Sequence, residues 1–213
     1  MALINDKHKF IFFHLYKCGG MSLRRNLNET IKGSHDLQGG HGMARDLLLH
    51  FQLNETPHKW EDYFKFVIVR NPFDFMVSTF FYAKTYTVHF MHEEVTKRNM
   101  TMEEFIPYYM NVRLQHKDPK IRPIGSNKVV TMLEFFTDDK GRKLVDFIGR
   151  LENINQDLKI IYKKIGIPYK ADMLKTNVNG NRVPDYRKYY TATSRAMIEK
   201  FFAKDLAYLK YEW

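Results

Sequence analysis

Lys17, Gly19, Gly20 and Ser22 stand together in Lys17-x-Gly19-Gly20-x-Ser22, a cationic amine, two glycines and a hydroxyl on one short stretch. Glycines let backbone N–H groups turn toward an anion, and an ammonium beside them adds a full positive charge, so this set can bind phosphate. A second set is Arg70-Asn71-Pro72-Phe73-Asp74, with Ser78 eight residues after Arg70. A guanidinium and a hydroxyl at that spacing can share one phosphate, Arg70 gripping it bidentately. An ion pair of Arg70 with Asp74 is the alternative use of the same residues. A third set is Gly39-Gly40-His41-Gly42, lying between the first two. A neutral imidazole accepts a proton near pH 7, the service required when a hydroxyl is to act as a nucleophile.

The elements that must position these groups are legible as hydrophobic runs. Phe10 to Leu15 is an apolar, aromatic-rich strand; Gly20 to Thr30 is helix-compatible. Phe64 to Val69 is a second strand, and Pro72, suited to the first turn of a helix, opens a helix over Phe73 to Tyr86. Strand followed by helix, twice, predicts an α/β fold with a central parallel sheet flanked by helices. In such sheets ligands lie beyond the carboxyl ends of the strands, where Lys17 and Arg70 both fall. Further along, Met43 to Phe51 and Thr101 to Asn111 read as helices, and Gln115 to Asn127, with Pro119 and Pro123, as a surface loop. Leu144 to Ile148 is a third strand candidate. Asn155 to Ile165 is an amphipathic helix stopped by Gly166, and Thr193 to Leu206 a last helix.

With 213 residues, one domain spanning 1–213 is the expectation. Hydrophobic residues at 44% and aromatics at 15% exclude a disordered chain, and a formal charge of +10 favours anionic partners. The single cysteine, Cys18, excludes an intramolecular disulfide and thiolate-rich zinc clusters. His89 and His92, without HExxH or a thiolate cluster, do not make a metal site. The N-terminal residues hold no apolar leader and no run reaches the roughly 20 apolar residues of a membrane span, so a cytoplasmic location is expected.

Four blocks in order resemble the sulfotransferases that use 3′-phosphoadenosine 5′-phosphosulfate. KFIFFHLYKCGGMSL is similar to their 5′-phosphosulfate loop, and FKFVIVRNPFDFMVSTFFY to their 3′-phosphate segment. Asp146-Phe147-Ile148-Gly149-Arg150-Leu151-Glu152-Asn153 resembles a later strand segment, and Tyr186 to Leu206 the C-terminal region. The likeness is greatest to the Golgi-type carbohydrate group, including the heparan sulfate 2-O-sulfotransferase branch. Cys18 and Met21 stand where the family's loop carries threonines. The resemblance implies a P-loop nucleotide-kinase-like fold. It also implies donor contacts from Lys17, Cys18, Gly19, Gly20, Met21, Ser22, Leu23, Arg70, Ser78 and Arg150. Arg150 has pairing with Glu152 as its alternative use.

The implied reaction is metal-free, in-line attack of an acceptor hydroxyl on sulfur. Lys17 neutralises charge on the leaving phosphate, and His41 takes the proton. His35 is the second candidate base, while His14, inside the first strand, reads as a core or supporting residue. The acceptor is expected to be a carbohydrate or another hydroxyl compound, and the basic chain suits an anionic one. Three rivals remain beside this reading. A small-molecule kinase predicts GxxxxGK followed by Ser or Thr, which is absent. A nucleic-acid module predicts clustered basic residues, whereas Lys and Arg are spread along the chain. A nucleotide-binding protein without turnover is the reading that Cys18 and Met21 keep open.

Overall fold

The computed structural model describes residues 2–36, 43–115, 131–169 and 183–213. In chain order these form β1 (Ala2–Asn5), β2 (Phe10–Phe13), α1 (Gly20–Thr30), β3 (Ser34–Asp36) and α2 (Ala44–Leu53). There follow β4 (Phe64–Val69), α3 (Pro72–Thr85), α4 (His92–Lys97), α5 (Met102–Gln115) and α6 (Met132–Phe136). The last are β5 (Phe147–Arg150), α7 (Ile154–Lys164), α8 (Ala192–Phe201) and α9 (Ala203–Leu209). Short 3₁₀ turns cover Trp60–Asp62, Leu151–Asn153 and Tyr186–Tyr189. None of the helices is long and apolar enough to cross a membrane, among the described residues.

The described residues divide into two compact units. The first, made of residues up to 69 and of 131–169, holds the sheet. Phe10, Ile11, Phe12 and Phe13 are all buried, as expected of a strand covered on both faces. Strand order is β3-β1-β2-β4-β5. β2 pairs in parallel with β4, and β4 with β5, but β1 is antiparallel to both β2 and β3. The expectation of a parallel sheet is therefore corrected: the sheet is mixed, because the β1–β2 hairpin adds β1 at one side and β3, returning after α1, pairs outside it. That hairpin turns over Asp6–Lys9 without a glycine: Asn5 Oδ1 accepts the His8 N–H at 2.8 Å and Lys9 takes φ 50 itself. Asn5 locks the added strands, donating to the Lys32 carbonyl at 3.2 Å and to Ser34 Oγ at 2.9 Å. The core lies under β2 and β4, where the Phe12 and Phe66 rings stack at 5.1 Å, and α1 and α7 close it with Leu23, Leu27, Leu158, Ile161 and Tyr162.

Two element limits bear on the site. β2 stops at Phe13, leaving His14 and Leu15 beyond the strand rather than within it. β5 runs Phe147–Arg150 instead of Leu144 to Ile148, so Arg150 is its last residue and pairs with Val69, the last of β4.

The second unit, residues 70–115 and 183–213 of those described, is helical. Here α3 packs on α5 through Phe80 against Phe105 at 5.2 Å, and on the junction of α8 and α9 through Phe75 against Phe202 at 5.9 Å. The last helix expected over Thr193 to Leu206 is two helices, broken at Phe202.

Candidate active site

The Lys17–Ser22 loop leaves the end of β2 through buried His14 and Leu15. Lys17 adopts φ 54 and Gly19 φ 76, so two left-handed residues bracket Cys18 and bend the chain sharply into α1. Gly19 is the N-cap of that helix, with no side-chain capping bond, and no acidic residue lies in the first turn. The amides of Gly20, Met21 and Ser22 there have no carbonyl four residues back within the helix, and the positive end of the dipole meets no carboxylate from its own first turn. A half-buried Lys17 adds a cation at the same end.

Each glycine is required by a neighbour as well as by the loop. A Cβ on Gly19 would lie 2.6 Å from Leu151 Cδ1, just past the end of β5. A Cβ on Gly20 would lie 1.9 Å from His14 Cδ2. The His14 ring, itself 6.1 Å from the Phe12 ring and stacked on it, thus fills the space beneath the first helical residue. This role for His14 was not legible, because nothing in the spacing of residues 14 and 20 shows that the loop folds back on the strand end. Of the other expected donor contacts, Ser22 and Cys18 are buried, Met21 is 59% exposed, and the Leu23 side chain lies in the core. Leu23 therefore offers a ligand only backbone, and its N–H is already given to Gly19 O at 3.3 Å. At the end of β5, Arg150 is fixed through its backbone N–H, which donates to Asp157 Oδ2 at 2.6 Å.

In the second unit, Asn71 caps α3, its Oδ1 accepting the Phe73 N–H at 3.0 Å, and Pro72 fills the first helical position. Arg70 Nε donates to Asp74 Oδ2 at 2.7 Å, and a second guanidinium nitrogen reaches the same oxygen at 2.7 Å. The ion pair considered from the sequence is thus present, and Asp74 orients the guanidinium. From Arg70 to Phe80 only Arg70, Asp74 and Ser78 are less than fully buried. Their four-residue spacing puts them on one face, so this otherwise enclosed segment opens along a single stripe.

The histidines separate by role. His41 lies outside the described residues, as do residues 116–127 of the expected loop and residues 170–182 ahead of the C-terminal block. His35 is exposed on β3, opposite Ile4. His89 Nδ1 accepts the Met91 N–H at 3.3 Å and His92 Nδ1 lies 2.9 Å from the Ala83 carbonyl, so both serve the turn after α3.

Comparison with known proteins gives three results. An uncharacterized protein of Archaeoglobus fulgidus is 28% identical over 133 residues, which is 61% of this chain and 87% of that one. No solved structure matches the chain significantly. The model of the family described as the sulfotransferase family matches residues 1–212, and on that match the chain belongs to the sulfotransferase family.

Proposed function

We propose that this sulfotransferase moves a sulfuryl group from 3′-phosphoadenosine 5′-phosphosulfate to a hydroxyl of a carbohydrate, as the resemblance to the Golgi-type group suggests. One observation carries the reading. β2 and β4 are parallel neighbours, with Phe13 opposite Val67; Lys17 follows the end of the first and Arg70 the end of the second. Ligands of such sheets lie beyond the carboxyl ends of the strands, and the chain carries a cation shortly after each of these two ends. The 5′-phosphosulfate is assigned to Lys17, the uncapped start of α1 and Ser22, with the backbone of Cys18, Gly19, Gly20, Met21 and Leu23 shaping the loop. The 3′-phosphate is assigned to Arg70 and Ser78, which share the open stripe. Arg150, level with Val69 at the same sheet end, is assigned to the nucleotide.

In the reaction the acceptor oxygen forms a bond to sulfur as the bond from sulfur to the bridging phosphate oxygen breaks. The leaving group is 3′-phosphoadenosine 5′-phosphate, and the acceptor proton passes to His41. Lys17 stabilises the charge that gathers on the departing phosphate, a preorganised electrostatic contribution. Anionic acceptors are favoured by the net charge of +10.

The test is calorimetric titration with 3′-phosphoadenosine 5′-phosphate, with ATP in parallel. Binding near micromolar, about −8 kcal/mol, with ATP much weaker, is the expected result. Preference for ATP, or no binding of either, overturns the proposal. In turnover, His41→Ala is expected to lower the rate by about a hundredfold or more while nucleotide affinity holds. If His35→Ala does this and His41→Ala does not, the base is His35.

A further inference from the structure

The polar and aromatic contacts at the start of α3 converge on residues far away in sequence. Asn71, next to Arg70, spends its side-chain amide completely. Its oxygen caps α3, and its Nδ2 donates to the Glu212 carbonyl at 3.1 Å and to Tyr186 Oη at 3.2 Å. Beside it, Phe73 is 1% exposed and meets the Trp213 ring edge-on at 4.7 Å. Tyr190 packs on the same two rings, at 5.8 Å from Phe73 and 5.2 Å from Trp213, and its hydroxyl donates to the Phe73 carbonyl at 2.8 Å. Arg195 lies over the Trp213 ring at 4.7 Å, and Arg187 reaches the Trp213 carbonyl at 3.4 Å. The backbone is shaped for this return. Lys210 takes φ 52 at the end of α9, and Tyr211 N–H closes on Leu206 O at 3.0 Å, which sends Glu212 and Trp213 back to Asn71.

We infer that Trp213, with the Glu212 carbonyl, is a positioning device for Arg70: it fixes Asn71 and Phe73, and thereby the strand-to-helix corner from which the guanidinium projects. The inference rests on the assignment of Arg70 to the 3′-phosphate. Helix capping alone needs only the Asn71 oxygen. The two remaining donors of that amide and the enclosed faces of Phe73 are what Glu212, Tyr186, Tyr190 and Trp213 engage. Since Arg70 is adjacent to Asn71 and clamped to Asp74 within the same turn, movement of this corner moves the guanidinium as a body.

The test compares 3′-phosphoadenosine 5′-phosphate with adenosine 5′-phosphate, which lacks the 3′-phosphate. The full chain must first prefer the former; without that preference the assignment of Arg70 fails, whatever Trp213 does. Given the preference, Trp213→Ala is expected to lower affinity for the 3′-phosphorylated nucleotide by about tenfold and to leave adenosine 5′-phosphate within about twofold. Trp213→Phe restores the preference, and Trp213→Ala adds nothing on an Arg70→Ala background. Equal loss for both nucleotides, or none for either, overturns the inference. Should Trp213→Ala not fold, Trp60→Phe leaves Trp213 as the sole tryptophan. Its emission is expected to change on adding 3′-phosphoadenosine 5′-phosphate and not in the Arg70→Ala chain; an unchanged emission overturns the inference.

Discussion

Gly20→Ala tests whether the loop is seated on His14. The new Cβ would stand 1.9 Å from His14 Cδ2, 2.5 Å from Nε2 and 2.8 Å from Cγ. Ordinary contact begins near 3.4 Å, so the imidazole would have to retreat by roughly 1.5 Å. It has nowhere to go: His14 is 6% exposed, its ring stacks on Phe12, and Phe12 is fully buried against Phe66. Overpacking of this kind costs about 3 kcal/mol, against which alanine's better helix propensity returns at most about 1 kcal/mol. The net loss is about 2 kcal/mol, a roughly thirtyfold fall in the folded-to-unfolded ratio and about 1 M in urea midpoint. Gly20 is helical, so its backbone conformation does not require glycine and the whole loss is assigned to the ring. Urea unfolding of Gly20→Ala, His14→Ala and the double variant separates the terms. The double variant should be more stable than the sum of the two losses by about 1.5 kcal/mol, because the shortened side chain removes the obstacle. Simple additivity would refute the seating.

Three further outcomes are expected. Lys17→Ala and Lys17→Gly should both lose transfer, but the glycine variant should unfold at higher urea by about 1 kcal/mol, because φ 54 strains any residue with a Cβ; equal midpoints refute that constraint. Gly141→Ala, where a Cβ would meet nothing within 4 Å, should cost only the strain of its φ 77, about 1 kcal/mol, and a loss as large as that of Gly20→Ala would show that steric ranking to be wrong. The Asp138 carboxyl titrates below its ordinary value, held there first by the Arg142 N–H, then by the Arg142 guanidinium and the Lys140 N–H. A carboxylate depressed on folding adds stability that is fully present above its unfolded value and is lost as pH falls through the folded one. Asp138→Asn should therefore flatten the acid side of the stability profile, and an unchanged slope would remove Asp138 from it.

The parts of the molecule legible in advance were those encoded by contiguous residues. Phe64 to Val69 and Gly20 to Thr30 were readable because an unbroken apolar run and a glycine-led amphipathic segment need no distant partner to be recognised. The β1–β2 hairpin was missed because Lys9 supplies a left-handed turn without glycine, and because Ala2–Asn5 is too short to show a period. The end of β5 was misplaced since Leu144 and Val145 are as apolar as the residues that pair; register with Phe66 and Val69, not hydrophobicity, decides it. Among the candidate residues, Lys17, Gly19 and Arg70 announced themselves by charge and conformational type. Asn71 could have been found, since Asn before Pro at the start of an apolar run is a capping signal. His14 reads as a core or supporting residue and is buried, but its seat under Gly20, like the place of Trp213 against Phe73, is set by folding over distances that no local pattern records.

The single open stripe on the α3 segment has an engineering consequence. If the proposed assignment of this stripe to the nucleotide holds, selection for folding and selection for ligand choice act on disjoint positions there. A library confined to Arg70, Asp74 and Ser78 leaves buried Phe73, Phe75, Met76, Val77, Thr79 and Phe80 untouched, so its members should mostly fold and differ in what they bind. Randomising the residues between should do the opposite, emptying the library of folded protein before any preference can be scored. The segment thus separates evolvability from stability at four-residue intervals, and on the proposed assignment of Arg70 and Ser78 to the 3′-phosphate a change of nucleotide preference is reachable by very few substitutions.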